Sequence, residues 1–254
     1  MCVFGRHRKR PSPNWGVTGS VWTVTTPSMD AVGPSTTSAR TERGQTAAVA
    51  VVIVVGGLLA FLFAGGAFAL VRGTLHFSCS WGIGGEWGAD GTWMCADGIG
   101  YLGVLVVLGG MSGLLLLAGL LVAIARPSTG RSLVYLVFAA VSLAWVGYWT
   151  FYAATAYTGP RPDGETGASL WISAVLPGLA TCAVAVIAGA VGALTSRRWS
   201  PLLLWVGVGV MLLGTALAPG IAIATFVSAA MLTAAGIDRH STRGARMQKT
   251  PESR

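Results

Sequence analysis

Five stretches of the chain are almost purely apolar, and no Asp, Glu, Lys or Arg interrupts any of them. Ala47–Val71 contains no polar side chain. Ile99–Ala125, Leu133–Tyr157 and Ser169–Leu194 are broken only by Ser, Thr, Cys, Tyr, Trp, Gly and one Pro. A hydrocarbon core about 30 Å thick takes about 20 apolar residues in a helix, so each run predicts a transmembrane helix. Lipid offers no partner to a free N–H or C=O, which leaves the helix as the form that satisfies its own backbone. The runs are solid rather than alternating, which excludes a transmembrane barrel.

The fifth run, Leu202–Ile237, has 36 residues. A single helix of that length would extend about 54 Å, well past the hydrocarbon core. Ala218-Pro219-Gly220 supplies a break, because Pro ends a helix and Gly supports a turn. The reading is therefore an all-α, polytopic membrane bundle of six transmembrane helices, near 47–71, 99–125, 133–157, 169–194, 202–218 and 221–237. Pro177 predicts a kink in the fourth, with Thr181 placed to help satisfy a freed carbonyl.

Charge orients this bundle. The net charge is +8, with 10% charged residues against about 25% in soluble domains. With the amino terminus inside, the inner segments hold every Lys and Arg except Arg72 and Arg161. The positive-inside rule then puts both termini in the cytoplasm. The strong preference for Arg over Lys fits a GC-rich coding genome, so a bacterial plasma membrane is the expected location. Membrane topology accounts for the basic charge, and no nucleic-acid partner is expected. Residues 1–46, rich in Ser, Thr, Pro and Gly, are expected to form a disordered basic tail, and residues 238–254 another. Arg6–Arg10 can meet anionic headgroups or stay a solvated patch that helps set orientation. Met29 is an alternative start. The first apolar run is too long for a signal-peptide core.

The inner connections Arg126–Ser132 and Thr195–Pro201 are short and force antiparallel hairpins. The connection over 72–98 is the largest. It holds Cys79 and Cys95 together with Trp81, Trp87 and Trp93, and several glycines that let the chain turn back near Ala89-Asp90-Gly91. Outside the cytoplasm the two thiols predict a Cys79–Cys95 disulfide. A free thiol pair, or a metal site with His76, is the alternative, although zinc-type spacings are missing. The Trp residues read first as an interfacial aromatic belt. Alternatively Trp81, Trp87 and Trp93, with Glu86 and Asp90, form an outer recognition platform for a sugar, peptide or headgroup.

The third span carries Tyr135, Phe138, Ser142, Trp145, Trp149 and Tyr152 on one stripe, expected to pack against neighbours. Gly109-xxx-Gly113, Ala60-xxx-Ala64 and Gly189-xxx-Ala193 are small-residue pairs that permit close helix approach, within the bundle or between copies.

The spans lack the intramembrane carboxylates, His or basic groups that proton relays use. His7, His76 and His240 all fall outside them, which excludes an intramembrane Ser–His protease. No metalloprotease, P-loop or Cys-x-x-Cys motif is present. No cofactor, metal or catalytic residue is expected. The leading functional expectation is a non-enzymatic, membrane-embedded interaction or accessory subunit, with the lipid bilayer and a protein partner or a second copy as its contacts. The alternative is a small permease for an apolar or neutral solute.

Overall fold

The computed structural model describes residues 36–82, 90–125, 130–159, 161–162, 165–195 and 199–248. Among the described residues eight α-helices run in order: α1 (Thr36–Leu62), α2 (Ala64–Ala69), α3 (Leu102–Ile124), α4 (Arg131–Thr155), α5 (Gly167–Ala174), α6 (Leu176–Leu194), α7 (Ser200–Leu217) and α8 (Ala222–Gln248). A two-stranded hairpin, β1 (Cys79–Trp81) and β2 (Trp93–Cys95), lies between α2 and α3. Among the described residues six segments are long and apolar enough to cross a membrane: Arg43–Thr74, Gly98–Ile124, Arg131–Thr155, Leu176–Leu194, Ser200–Leu217 and Pro219–His240. Many large apolar side chains of these helices, among them Phe61, Val106, Leu121, Ile187 and Leu213, point outward. An exposed apolar perimeter of this extent belongs in lipid.

The expected break in the last run is real. α7 stops at Leu217, and Pro219–Ile221 form a 3₁₀ turn before α8 begins. Three boundaries differ from the expectation. The helix of the first span begins at Thr36, inside the stretch 1–46 expected to be a tail; residues 1–35 lie outside the described residues. α8 continues through Asp238 to Gln248, although a tail was expected from 238 to 254. Once a helix exists, each further residue adds a backbone bond at little cost, so polar sequence extends it. In the fourth span the helix breaks at Val175, and Pro177 sits in the first turn of α6, where its missing N–H costs least. The Thr181 hydroxyl donates to the Pro177 carbonyl at 2.8 Å.

One helix is central. In α8 78% of the apolar window is buried, against 22–44% in the other five spans. α1, α4 and α7 pack around it most extensively, and α3 and α6 touch it over smaller areas. Its sequence explains why: Ala222, Ala224, Ala229, Ala230, Ala234 and Ala235 give it a narrow profile that neighbours can approach on all sides. Gly56 of α1 lies directly against Ala230. Hydroxyls then fix the register. Ser228 donates to the Ala139 carbonyl at 2.9 Å, Ser142 to the Ala224 carbonyl at 3.4 Å, and Thr215 to Thr225 at 2.6 Å. Each such bond contributes about 0.6 kcal/mol in membrane bundles.

α6 and α7 form the closest pair. Gly178, Cys182, Ala185, Gly189 and Gly192 recur in steps of four and three along α6. They face Gly207, Met211 and Gly214 of α7 and Ala218 just beyond it. A Cβ on Gly207 would stand 3.0 Å from the Ala185 carbonyl oxygen. Small residues on both sides let the two backbones touch, and dispersion over that contact holds the pair. Gly214→Ala is expected to destabilise the bundle by about 1–3 kcal/mol, because its methyl would collide with Cys182 and sit 2.9 Å from the Gly178 carbonyl oxygen. Gly113→Ala, which meets nothing within 4 Å, is expected to be neutral or slightly stabilising. Thermal unfolding of the two variants in detergent micelles distinguishes the cases.

Candidate recognition site

The hairpin at the loop end of the bundle is assembled from ordinary turn chemistry. β1 and β2 are antiparallel, with Cys79 opposite Cys95, Ser80 opposite Met94 and Trp81 opposite Trp93. Gly82 donates to the Thr92 carbonyl at 2.8 Å, and Gly91 to the Gly82 carbonyl at 3.1 Å. Gly91 has φ of +74°, a left-handed turn conformation that a side chain would disfavour. The opposed cysteines are joined as the Cys79–Cys95 disulfide. Both sulfurs are thus consumed, which removes the metal alternative with His76. Among the described residues no three His, Cys, Asp or Glu side chains are grouped to hold a metal.

Alternation across the strands gives the hairpin two faces. Cys79, Trp81, Trp93 and Cys95 point to the bundle, and Ser80 and Met94 to the outside, both exposed. Trp93 organises the inner face. The His76 ring stacks on it at 4.1 Å and 10°. Trp81 and Tyr157 meet it edge-on at 5.1 and 5.7 Å, and the Arg161 guanidinium lies 6.0 Å from its centroid. The Trp81 backbone N–H donates to the Tyr157 hydroxyl at 3.2 Å, tying β1 to the segment after α4.

Arg161 closes this arrangement from the other side. Its Nη2 donates to the carbonyls of Ala154 at 3.0 Å and Tyr157 at 3.2 Å. These carbonyls, at and just past the end of α4, lack helical partners, and a cation there also meets the negative end of the helix dipole. Gly167 at the start of α5 lies so close to the Ala154 carbonyl that a Cβ would overlap it. Beneath the hairpin the Tyr101 hydroxyl donates to the Phe77 carbonyl at 2.7 Å. Tyr101 is buried, and its oxygen lies 3.5 Å from the Cys79 sulfur.

The turn that leads into β1 is unusual. His76 and Ser78 have φ of 52° and 53°, in the left-handed region that non-glycine residues seldom occupy. The stack on Trp93 and the disulfide one residue on hold the turn there. Burial pushes the His76 imidazole below its ordinary pKa of 6.5; Glu165 opposes this and Arg161 adds to it. The His76 Nδ1 is buried and makes no hydrogen bond.

Three of the residues expected to form an outer platform fall within the described residues. Trp81 and Trp93 turn inward and are partly buried, and Asp90 is exposed in the turn. Glu86 and Trp87 lie outside the described residues. Of the helix-packing pairs, Ala60 is buried and Ala64 partly so. Gly109 approaches Ile223 of α8, whereas Gly113 faces open space. The sequence reading did not assign His76 to Trp93 or Arg161 to the end of α4. One signal was available: Arg161 is one of two basic residues on the side opposite the charged ends.

Two outcomes follow for the hairpin. Replacing both cysteines, Cys79→Ser with Cys95→Ser, is expected to lower its stability by about 3 kcal/mol through the lost loop constraint, read as faster amide exchange over 79–82 and 90–95. The second concerns pH. The unfolded turn binds a proton near 6.5, and the folded turn only at lower pH. Hairpin stability is therefore full above 6.5 and falls as pH drops through the lower folded value. His76→Phe keeps the stack without the titration, so amide exchange in the variant is expected to lose this acid-side rise.

No family model matches the chain, and no curated protein or solved structure matches it.

Proposed function

We propose that the chain is a non-enzymatic interaction subunit of a membrane assembly, and that the disulfide-closed hairpin is the element it presents. One observation supports this reading above the others. The hairpin is anchored inwardly by Trp81, Trp93, Tyr157 and Arg161, while Ser80, Met94 and Asp90 remain exposed on its outer side. A stiffened, outward-facing strand pair loses little entropy when a partner docks, which favours recognition. The segment between the strands carries Trp87, an aromatic of the kind enriched at protein interfaces.

The near-exclusive placement of Lys and Arg on the opposite side supports a cytoplasmic location for both termini, and the Arg-rich composition supports a bacterial plasma membrane. A disulfide on the loop side accords with that orientation, since such bonds persist outside the reducing cytoplasm.

Site-specific photocrosslinking in intact cells tests the proposal. A photoreactive residue at Met94 is expected to give a discrete protein adduct, weakened by Trp87→Ala and lost when Cys79 and Cys95 are both replaced by Ser. The same probe at Leu117, on the apolar perimeter of α3, is expected to give lipid adducts alone. Lipid adducts alone from both positions would remove the hairpin from the proposal.

A further inference from the structure

The opposite end of the bundle holds a buried charge pair that no span-by-span reading of hydropathy reveals. Arg131 opens α4 and Asp238 lies on α8, each with a side chain only 8% exposed. Arg131 Nη1 stands 3.7 Å from the Asp238 carboxylate, and its Nη2 donates to the Ala123 carbonyl near the end of α3 at 2.7 Å. Gln45 of α1 donates to the same carboxylate oxygen at 3.5 Å. The next residue of α8, Arg239, donates to the Thr195 carbonyl after α6 at 3.3 Å. Five helices therefore contribute to one electrostatic cluster.

The cluster is loosely made. Its ion pair and its Gln45 bond sit at the long limit of such contacts. Arg131 Nε is buried without a hydrogen-bond partner, and the Tyr135 hydroxyl lies beside the guanidinium. A buried pair of this quality contributes little net stability over apolar side chains, yet removing one member leaves the other uncompensated and is strongly destabilising. That asymmetry suits a switch. The hairpin end differs: there a disulfide and the Arg161 contacts fix the elements. Along α8 itself, Ser228 and Thr225 hold the middle of the helix.

We propose that Arg131 and Asp238 form a proton-sensitive latch, and that neutralising Asp238 lets the end of α8 part from α1 and α4 while the hairpin end stays closed. The groups facing Asp238 are Arg131 and Tyr135 on α4, Gln45 on α1 and Arg239 on α8, with Arg43 and His240 exposed at the same end. Protonation of the carboxylate removes the one anion among them. Arg131 is then a buried cation without a counter-charge, and it reaches water only if the helix ends separate.

Paired spin labels in the full-length protein in lipid nanodiscs test this. One pair replaces Arg43 and His240 at the latch end, and a control pair replaces Ile99 and Thr158 at the hairpin end, with Cys2 and Cys182 removed. Asp238→Asn at pH 7.5, or the parent protein at acid pH, is expected to lengthen the latch-end distance by roughly one helical turn, about 5 Å. The control distance should not change. Replacing the pair with apolar residues, Arg131→Met with Asp238→Leu, is expected to keep the end closed at both pH values. An unchanged latch-end distance in Asp238→Asn overturns the proposal. So does a change at both ends together, or a double variant that still opens with acid.

Discussion

Close contact between small-residue helix faces is the interaction on which this bundle rests. Lipid tails are as apolar as Leu or Val, so burying a large side chain between helices gains little over leaving it in the bilayer. What the bilayer cannot supply is the density of backbone against backbone. Gly178, Cys182, Ala185, Gly189 and Gly192 on one side, and Gly207 and Gly214 on the other, provide it between α6 and α7. The alanines of α8 provide it around the central helix. Large side chains are correspondingly displaced outward, where Phe61, Leu121 and Leu213 meet lipid.

Dispersion has no direction, and a helix wrapped in alanine could slide or rotate. Directional bonds remove that freedom. Ser228 and Ser142 pin α8 to α4, and Thr215 pins α7 to it. The two ends of the bundle are then finished by different chemistry. At one end a covalent bridge and aromatic stacking around Trp93 give a hairpin fixed to the helices. At the other, opposed charges are held at long distances under partial shelter. In the proposed latch, motion is confined to the electrostatically closed end, and the proposed recognition hairpin stays fixed.

The membrane character of the fold was legible because desolvation acts on each residue independently of its neighbours. A run such as Ala47–Val71 cannot be anything but lipid-facing or buried, whatever packs against it. The break at Pro219 and the Cys79–Cys95 bridge were legible for similar reasons, since one depends on ring geometry and the other on two thiols in one short loop. The pairing of Trp93 with His76 was not. Three Trp in the loop specify aromatic area, and only the register of Trp81 against Trp93 decides that those two turn inward. Nor was Gly109-xxx-Gly113 readable as packing, since Gly109 meets α8 and Gly113 meets nothing.

By itself the sequence determined how often the chain enters lipid, where it must turn and which loop is bridged, because hydration cost, proline geometry and disulfide reach are local properties. Only the tertiary structure decided that α8 is the inner helix, since all six spans are apolar and their order of burial depends on which profiles fit together. It also decided that Arg131 and Asp238, more than a hundred positions apart, become neighbours. A charge at a span boundary is cheap in water and consequential when buried, and the chain alone does not say which of the two it will meet.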